Sequence, residues 1–255
     1  MPTFSANLGF LFTEHALPDA VRAAAAAGFD AVECHWPYDT PASELRAALR
    51  ETGLPMLGLN TRRGNVEAGD NGLAALPGRE DEARAAIDEA LAYASAIECK
   101  NVHVMAGFAE GSRAHEVFLA NLQYASEQAR KGEHTILIEP LNRFDAPGYF
   151  LSTSEQASDL IDTLALDNVK LMFDCYHLQI QEGDLTRRLT ALKAQIGHIQ
   201  FASVPDRGAP DHGEVNYPWL FAWLDEQGFG FPLGAEYRPR GATEHSLAWL
   251  GAYLA

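Results

Sequence analysis

Short apolar runs of strand length alternate along the chain with longer segments that have the periodicity of amphipathic helices. The predicted strands are Phe4–Leu8, Ala31–Glu33, Pro55–Leu59, Asn101–Met105, Thr135–Ile138, Val169–Phe173, Ile196–Ile199 and Pro232–Ala235. The predicted helices are Ala16–Ala27, Ser43–Thr52, Arg79–Ala96, Arg113–Arg130, Ser154–Leu164, Leu185–Leu192, Tyr217–Glu226 and Glu244–Leu254. Eight such pairs favour an α/β fold in which parallel strands close into a (β/α)₈ TIM barrel.

The length of the chain, 255 residues, suits one barrel, and no segment has the character of a linker between two domains. We therefore expect a single TIM-barrel catalytic domain over residues 1–255. After the first predicted strand, Asn7–Leu11 lacks the glycine-rich fingerprint of a dinucleotide-binding fold. The longest irregular stretch, Asn60–Gly78, follows the third strand, which places it at the expected catalytic mouth.

The chain has a formal net charge of −16, and 47% of its residues are hydrophobic. The hydrophobic share allows a large core, while the acidic balance argues against nucleic acid or an anionic membrane surface as a partner. No leader peptide and no apolar run of membrane-spanning length is evident, so we expect a cytoplasmic protein that does not enter a membrane. The three cysteines follow no disulfide or zinc pattern. A homo-oligomer is compatible with this composition.

Four consecutive predicted strands, the fifth to the eighth, are followed at once by an oxygen-bearing side chain: Glu139, Asp174, Gln200 and Glu236. The carboxyl ends of all barrel strands open at the same face, so these groups are expected to converge. Three carboxylates held together at an apolar rim would repel one another, and a divalent cation removes that cost. Oxygen ligands favour Mg²⁺ or Mn²⁺ over zinc.

Further polar residues are expected near the same rim. His177 lies three residues after Asp174 and is placed to hydrogen-bond a substrate oxygen. Arg207 follows the seventh strand and is suited to clamp a substrate carboxylate. Glu67, in the long third loop, is a weaker candidate for substrate binding, as are the neighbouring arginines of that loop. His103, inside the fourth strand, is expected to be a core histidine with its hydrogen bonds satisfied.

The residues around these candidates form motifs that resemble one known family. The motifs are Ile138–Asn142, Phe173–His177, Gly197–Gln200, Gly213–Tyr217 and Gly234–Pro239. Together they resemble the hydroxypyruvate isomerase family, within the xylose isomerase-like TIM barrels, and the resemblance extends over essentially the whole chain. It implies a divalent metal held by the four strand-end residues. It also implies that the two glutamates, on the fifth and eighth strands, face each other as acid–base groups.

The reaction that this resemblance implies converts hydroxypyruvate and tartronate semialdehyde through an enediolate. A 2-oxo-tetronate isomerase, or another ketose isomerase or 3-epimerase of the same group, is the closest alternative. Val102–Gly107 and Asn216–Phe221 are similar to the tetronate branch, whereas Glu139–Asp145 is closer to the hydroxypyruvate branch. Two further alternatives are a sugar-acid-binding protein without catalysis and a DNA-repair nuclease; the net charge argues against the nuclease. The wider group often has histidine where this chain has Gln200.

Overall fold

The computed structural model describes residues 1–254, in which eight strands form one sheet with the order β2-β1-β8-β7-β6-β5-β4-β3. The strands are β1 (Phe4–Asn7), β2 (Ala31–Glu33), β3 (Gly58–Asn60), β4 (Asn101–His103), β5 (Thr135–Ile138), β6 (Val169–Asp174), β7 (Ile196–Phe201) and β8 (Leu233–Ala235). Every paired neighbour runs parallel. A parallel bridge between Val32 and Met56 joins β2 to the segment before β3. The predicted barrel is therefore confirmed.

Helices connect the strands and cover the outside of the barrel. They are α1 (Leu17–Ala27), α2 (Ala42–Thr52), α3 (Glu80–Ile97), α4 (Gly111–Ala129), α5 (Ser154–Leu164), α6 (Cys175–Gln181), α7 (Leu185–Ala191) and α8 (Tyr217–Gln227). Gly28 and Gly53 end α1 and α2 with the positive φ that glycine adopts readily. The hydroxyl of Thr153 caps α5 by accepting a hydrogen bond from the Gln156 amide at 3.1 Å. None of the helices in the described part of the chain combines the length and apolar character that a bilayer crossing requires.

Two helical predictions need correction. Glu244–Leu254 was expected to form a closing helix, but this segment contains two short 3₁₀ turns, Thr243–Ser246 and Leu250–Ala252. Its tertiary packing explains the difference, because the Trp249 ring inserts against Phe4, 5.0 Å between centroids, and is buried. The second difference is α6, a helix that the hydrophobic pattern did not predict. It begins directly after β6 because the Asp174 side chain caps it by accepting from the Tyr176 amide at 2.8 Å.

The strands alternate between two environments with the period of two that β-structure imposes. In β7, His198 and Gln200 point to one face, while Ile199 and Phe201 point to the other. Phe201 packs against the ring of Phe221 in α8, 4.7 Å between centroids, so its face is the one that the helices cover. The polar pair, His198 and Gln200, therefore points into the barrel. All four of these β7 side chains are buried.

Candidate active site

The four strand-end residues meet at the carboxyl end of the barrel. Glu139 directly follows β5, Asp174 is the last residue of β6, Gln200 lies near the end of β7, and Glu236 directly follows β8. Asp174 and Gln200 are neighbours across the β6–β7 ladder, and the Gln200 amide nitrogen lies 3.2 Å from Glu236 Oε1. Each of the four is at most 6% exposed. The structure thus brings together the residues that the strand-end pattern singled out.

Three oxygen atoms in this group have no hydrogen-bond partner among residues 1–254. They are Glu139 Oε1, Asp174 Oδ2 and Gln200 Oε1, and all three are buried. Buried polar atoms without partners are costly, so such a cluster needs an explanation. Ligand atoms of Glu139, Asp174 and His177 also lie within 4.8 Å of one another. Buried, unpaired oxygens on three neighbouring side chains fit a divalent cation, which would provide the partner that they lack.

Glu236 has a different environment from the other three. Its Oε1 accepts hydrogen bonds from Asn7 Nδ2 at 2.7 Å and Gln200 Nε2 at 3.2 Å, and it lies 3.0 Å from His35 Nε2. Its Oε2 forms an ion pair with the Arg207 guanidinium. Both oxygens of Glu236 are therefore engaged within the protein, so this carboxylate would join a metal only by giving up part of its contact with Arg207.

These environments move the pKa values of the carboxyl groups in opposite directions. Burial raises the pKa of Glu139 well above its ordinary value, and the charges of Glu236 and Asp174 raise it further. Burial and the Glu236 charge likewise raise the pKa of Asp174 to about 7. Burial would also raise the pKa of Glu236, but the Arg207 charge and the His35 hydrogen bond lower it to about 2. Without a cation, the two glutamates thus favour different protonation states.

His177, in α6, is held in one tautomer. Its Nδ1 accepts a hydrogen bond from the Asn142 backbone amide at 3.1 Å, so the proton of the neutral ring is on Nε2. Burial lowers the pKa of His177 to about 3, which keeps the ring neutral. Nε2 lies 3.7 Å from Asp174 Oδ2 and faces the cluster. Although its nitrogen is near enough to the carboxylates to bind an ion, this hydrogen bonding makes His177 a donor to the site.

Arg207 enters the site, but its position differs from a free carboxylate clamp. Its Nη2 pairs with Glu236 and lies 3.8 Å from Asp174 Oδ2. The guanidinium also lies over the rings of Phe10 and Tyr176, 4.8 Å from each centroid. Arg207 Nε is buried without a hydrogen-bond partner in the described chain. The first role that the contacts indicate is therefore to neutralise and orient Glu236.

The third loop contributes less to the cluster than expected. Glu67 lies exposed in a short 3₁₀ turn, Val66–Ala68, and within residues 1–254 it forms no hydrogen bond or ion pair. The structure thus does not bring Glu67 to the other candidates. Arg62 pairs with Glu89 on the outside, 2.7 Å from Nε to Oε2. Arg63 is stacked over the Trp36 ring at 3.9 Å.

Four functional residues were missed or misjudged from the sequence. His103 was expected to be a satisfied core histidine, but in the described chain neither ring nitrogen has a hydrogen-bond partner. Its Nδ1 lies 3.6 Å from Glu139 Oε2. Asn7 and Glu33 are the last residues of β1 and β2, and His35 follows β2 by two residues. Glu33 also ends the predicted second strand, so attention to that strand end would have found it, whereas Asn7 lies inside the predicted strand Phe4–Leu8 and His35 lies two residues beyond Ala31–Glu33.

Comparison with known proteins agrees with this geometry. Residues 21–253 match the sequence model of a family described as xylose isomerase-like TIM barrel. The 2-oxo-tetronate isomerase of Cupriavidus necator is 46% identical over 258 residues, covering 100% of this chain and 99% of that protein. The hydroxypyruvate isomerase of Escherichia coli is 38% identical over 258 residues, covering 99% of this chain and 100% of that protein.

A solved structure gives the same result at the level of the fold. The crystal structure named AP endonuclease, family 2, from Brucella melitensis has a TM-score of 0.96 with this chain at 41% identity, and the match covers 100% of both chains. Together with the two isomerases, it confirms the resemblance that the motifs indicated. The chain belongs to the xylose isomerase-like TIM barrel family.

Proposed function

We propose that this protein is a metal-assisted isomerase of a small hydroxy-carbonyl acid, with the whole chain, residues 1–255, as one catalytic domain. The observation that carries the proposal is the cluster of three unpaired, buried oxygens beside two glutamates whose pKa values are shifted in opposite directions. Environments that separate the pKa values of two carboxyl groups in this way are typical of acid–base pairs. The relatives named as isomerases supply independent support.

Glu139, Asp174 and Gln200 would hold the cation, and Glu236 would complete the set. The oxygen-rich donors favour a hard ion, Mg²⁺ or Mn²⁺. When bound, such an ion neutralises negative charge that develops on the oxygens of the substrate. It would also offset the charge of Asp174, which contributes to raising the pKa of Glu139.

The side chains themselves would move the protons. In the proposed reaction, a proton leaves one carbon and returns to its neighbour while the carbonyl moves the other way, through an enediolate. Glu139 and Glu236, on strands separated by β6 and β7, would take and return this proton, and because the reaction is reversible each serves in both roles. The Nε2–H of His177 would donate a hydrogen bond to a substrate oxygen.

The substrate carboxylate needs a cationic partner at the same mouth. Arg207 is the first candidate. Its Nη2 is paired with Glu236, but its buried Nε has no hydrogen-bond partner in the described chain and would donate to the substrate carboxylate. Arg63, stacked on Trp36 in the third loop, is the second candidate.

Hydroxypyruvate and 2-oxo-tetronate are the two candidate substrates. The motif Glu139–Asp145 favours hydroxypyruvate, whereas Val102–Gly107 and Asn216–Phe221 favour the tetronate branch. The identity to a named 2-oxo-tetronate isomerase, 46%, exceeds the 38% identity to a named hydroxypyruvate isomerase. The two acids differ by one hydroxymethylene unit, a difference that is poorly readable from the sequence. We therefore propose both as assay substrates.

Proton NMR in D₂O tests the proposal. The protein is incubated with hydroxypyruvate, 2-oxo-tetronate or a panel of ketoses, with and without added Mg²⁺ or Mn²⁺. We expect metal-dependent incorporation of deuterium at the carbon next to the carbonyl of one acid. A protein that binds an acid but never exchanges its protons is a binding protein, and that outcome refutes an isomerase. A DNA-binding titration at several salt concentrations addresses the nuclease alternative, for which the net charge of −16 is unfavourable.

A cytoplasmic location and a homo-oligomeric assembly are also part of the proposal. The exposed Trp219, which is 55% accessible and stacked at 6.3 Å on Trp223, supports an interface between copies. Size-exclusion chromatography with light scattering tests the assembly, and a Trp219→Ser variant tests whether this ring takes part in it.

A further inference from the structure

A buried carboxylate, Glu33, lies inside the barrel next to the candidate active site. Glu33 ends β2, is 4% exposed, and extends across the barrel interior to side chains of β7. Its Oε1 accepts a hydrogen bond from the Ser5 hydroxyl at 2.9 Å, and its Oε2 lies 3.1 Å from His198 Nε2. Its Oε2 also accepts from the Gln200 amide nitrogen at 2.8 Å. This carboxylate thus contacts a proposed metal ligand without belonging to the cluster of unpaired oxygens.

The contact fixes the orientation of the Gln200 amide group. An amide group has an oxygen and a nitrogen of nearly the same size, so its orientation is set by hydrogen bonds. The two hydrogens on Gln200 Nε2 have one acceptor each, Glu33 Oε2 at 2.8 Å and Glu236 Oε1 at 3.2 Å. The Gln200 oxygen is left buried without a partner among the described residues. A flipped amide would place that oxygen against two carboxylates, which repel it.

The path from β2 to β7 exists because of a glycine in between. Gly234 lies in β8, the strand that separates β1 from β7 in the sheet. A Cβ atom at Gly234 would lie 2.2 Å from Glu33 Oε1 and 2.9 Å from His198 Nε2, closer than such atoms can approach. The missing side chain therefore leaves the space that the Glu33 carboxylate occupies.

We propose that Glu33 is a positioning residue, which fixes the Gln200 amide so that its oxygen, and not its nitrogen, is presented to the bound divalent cation. This inference rests on the proposed metal-dependent function. Residues that orient a metal ligand in this way influence metal affinity without touching the metal. Only a glutamine ligand needs such orientation, because its side chain has one oxygen and one nitrogen. A glutamate ligand does not need it, because the two oxygens of a carboxylate are equivalent.

The equivalence of carboxylate oxygens provides the test. Glu33→Met is introduced into the wild-type chain and into a Gln200→Glu variant, and binding of Mn²⁺ is measured by the electron paramagnetic resonance of the free ion. In the wild-type background we expect Mn²⁺ affinity to fall by about tenfold or more, in the range known for groups that orient ligands. In the Gln200→Glu background we expect no loss, since either oxygen can bind. Equal losses in both backgrounds, or no loss in either, overturn the proposal.

Matched variants separate positioning from general damage to the barrel. Ser5→Ala removes a hydrogen bond to Glu33 but leaves the Gln200 contact, so Mn²⁺ affinity should stay unchanged. Gly58→Ala, whose Cβ meets nothing closer than 3.9 Å, is a second control in the barrel and should also leave Mn²⁺ affinity unchanged. If Glu33→Met does not fold, Glu33→Leu, which likewise has no hydrogen-bond acceptor, is used in both backgrounds, and the same contrast decides. A wild-type protein that takes up no Mn²⁺ refutes the proposed metal-dependent function itself, whereas uptake without the contrast refutes only the role of Glu33.

Discussion

The substitution Asp174→Asn separates the charge of this residue from its structural role. Asp174 Oδ1 caps α6 by accepting from the Tyr176 amide at 2.8 Å, and asparagine caps helices equally well. Its Oδ2 has no hydrogen-bond partner in the described chain and lies in the cluster with Glu139. The variant therefore keeps the cap and removes one of the carboxylates that would hold the cation.

The magnitude follows from the geometry. Ligand atoms of Glu139 and Asp174 lie within 4.8 Å of each other, and two ionised carboxylates at that limit repel by about 3.5 kcal/mol at an effective dielectric constant of 20. The attraction of Asp174 to Arg207, 3.8 Å away, offsets part of this repulsion. We expect the metal-free variant to be more stable than the metal-free wild type by about 1–3 kcal/mol near neutral pH, a rise in melting temperature of about 2–4 °C per kcal/mol.

The effect depends on pH with a definite sign. The pKa of Asp174 is raised from 3.8 to about 7, so the folded protein holds a proton that the unfolded chain releases. The stability that this proton provides is fully present below the unfolded value and is lost as pH rises through the folded value. The stability advantage of Asp174→Asn over wild type should therefore be large near pH 8, above the folded pKa of about 7, and should disappear near pH 4, close to the unfolded pKa of 3.8.

Differential scanning calorimetry of protein stripped with a chelator, with and without Mn²⁺, measures both effects. Wild type should gain stability from Mn²⁺, about 2.7 kcal/mol at a hundredfold excess over the dissociation constant, and the variant should gain far less. Asp145→Asn is the control: burial tends to raise the pKa of Asp145, but hydrogen bonds from Asn142 and Tyr176 lower it overall. Asp145→Asn should lose stability near neutral pH and keep its response to Mn²⁺. A metal-free Asp174→Asn protein that melts below wild type near pH 8, or that retains the full Mn²⁺ response, would refute the reasoning.

Four further substitutions test the site. Glu139→Gln and Glu236→Gln should each lower the rate of deuterium exchange by about 10²-fold or more, measured by NMR in D₂O; near-normal exchange in both contradicts the two-glutamate scheme. Arg207→Met leaves the buried Glu236 charge unpaired and should cost about 3–5 kcal/mol in urea unfolding, and a cost near zero would show that the ion pair is not stabilising. Glu67→Ala should change kcat/KM by less than about twofold, as expected for an exposed residue without partners in the described chain; a larger loss would return Glu67 to the substrate site.

The strand ends show what the sequence determined about this protein. An apolar run such as Leu171–Phe173 predicts a buried strand, and the first polar residue after it, Asp174, is expected at the rim of the barrel. The position of Asp174 therefore follows from the local pattern alone. The same reasoning located Glu139, Gln200 and Glu236. Strand bounds were less accurate, because the predicted Asn101–Met105 ends at His103, where the chain leaves the ladder.

The partners of these side chains were decided by the tertiary structure. Glu33 and Gln200 are 167 residues apart, and the contact between them depends on the closure of the barrel, the register of its strands and the space at Gly234. The pairing of Arg207 with Glu236 likewise determines that this arginine is not a free clamp. Local periodicity indicates which face of an element a residue occupies, but it does not indicate which distant side chain will lie opposite that residue. For this reason the sequence located the chemical groups of the site, while only the fold determined their protonation, orientation and partners.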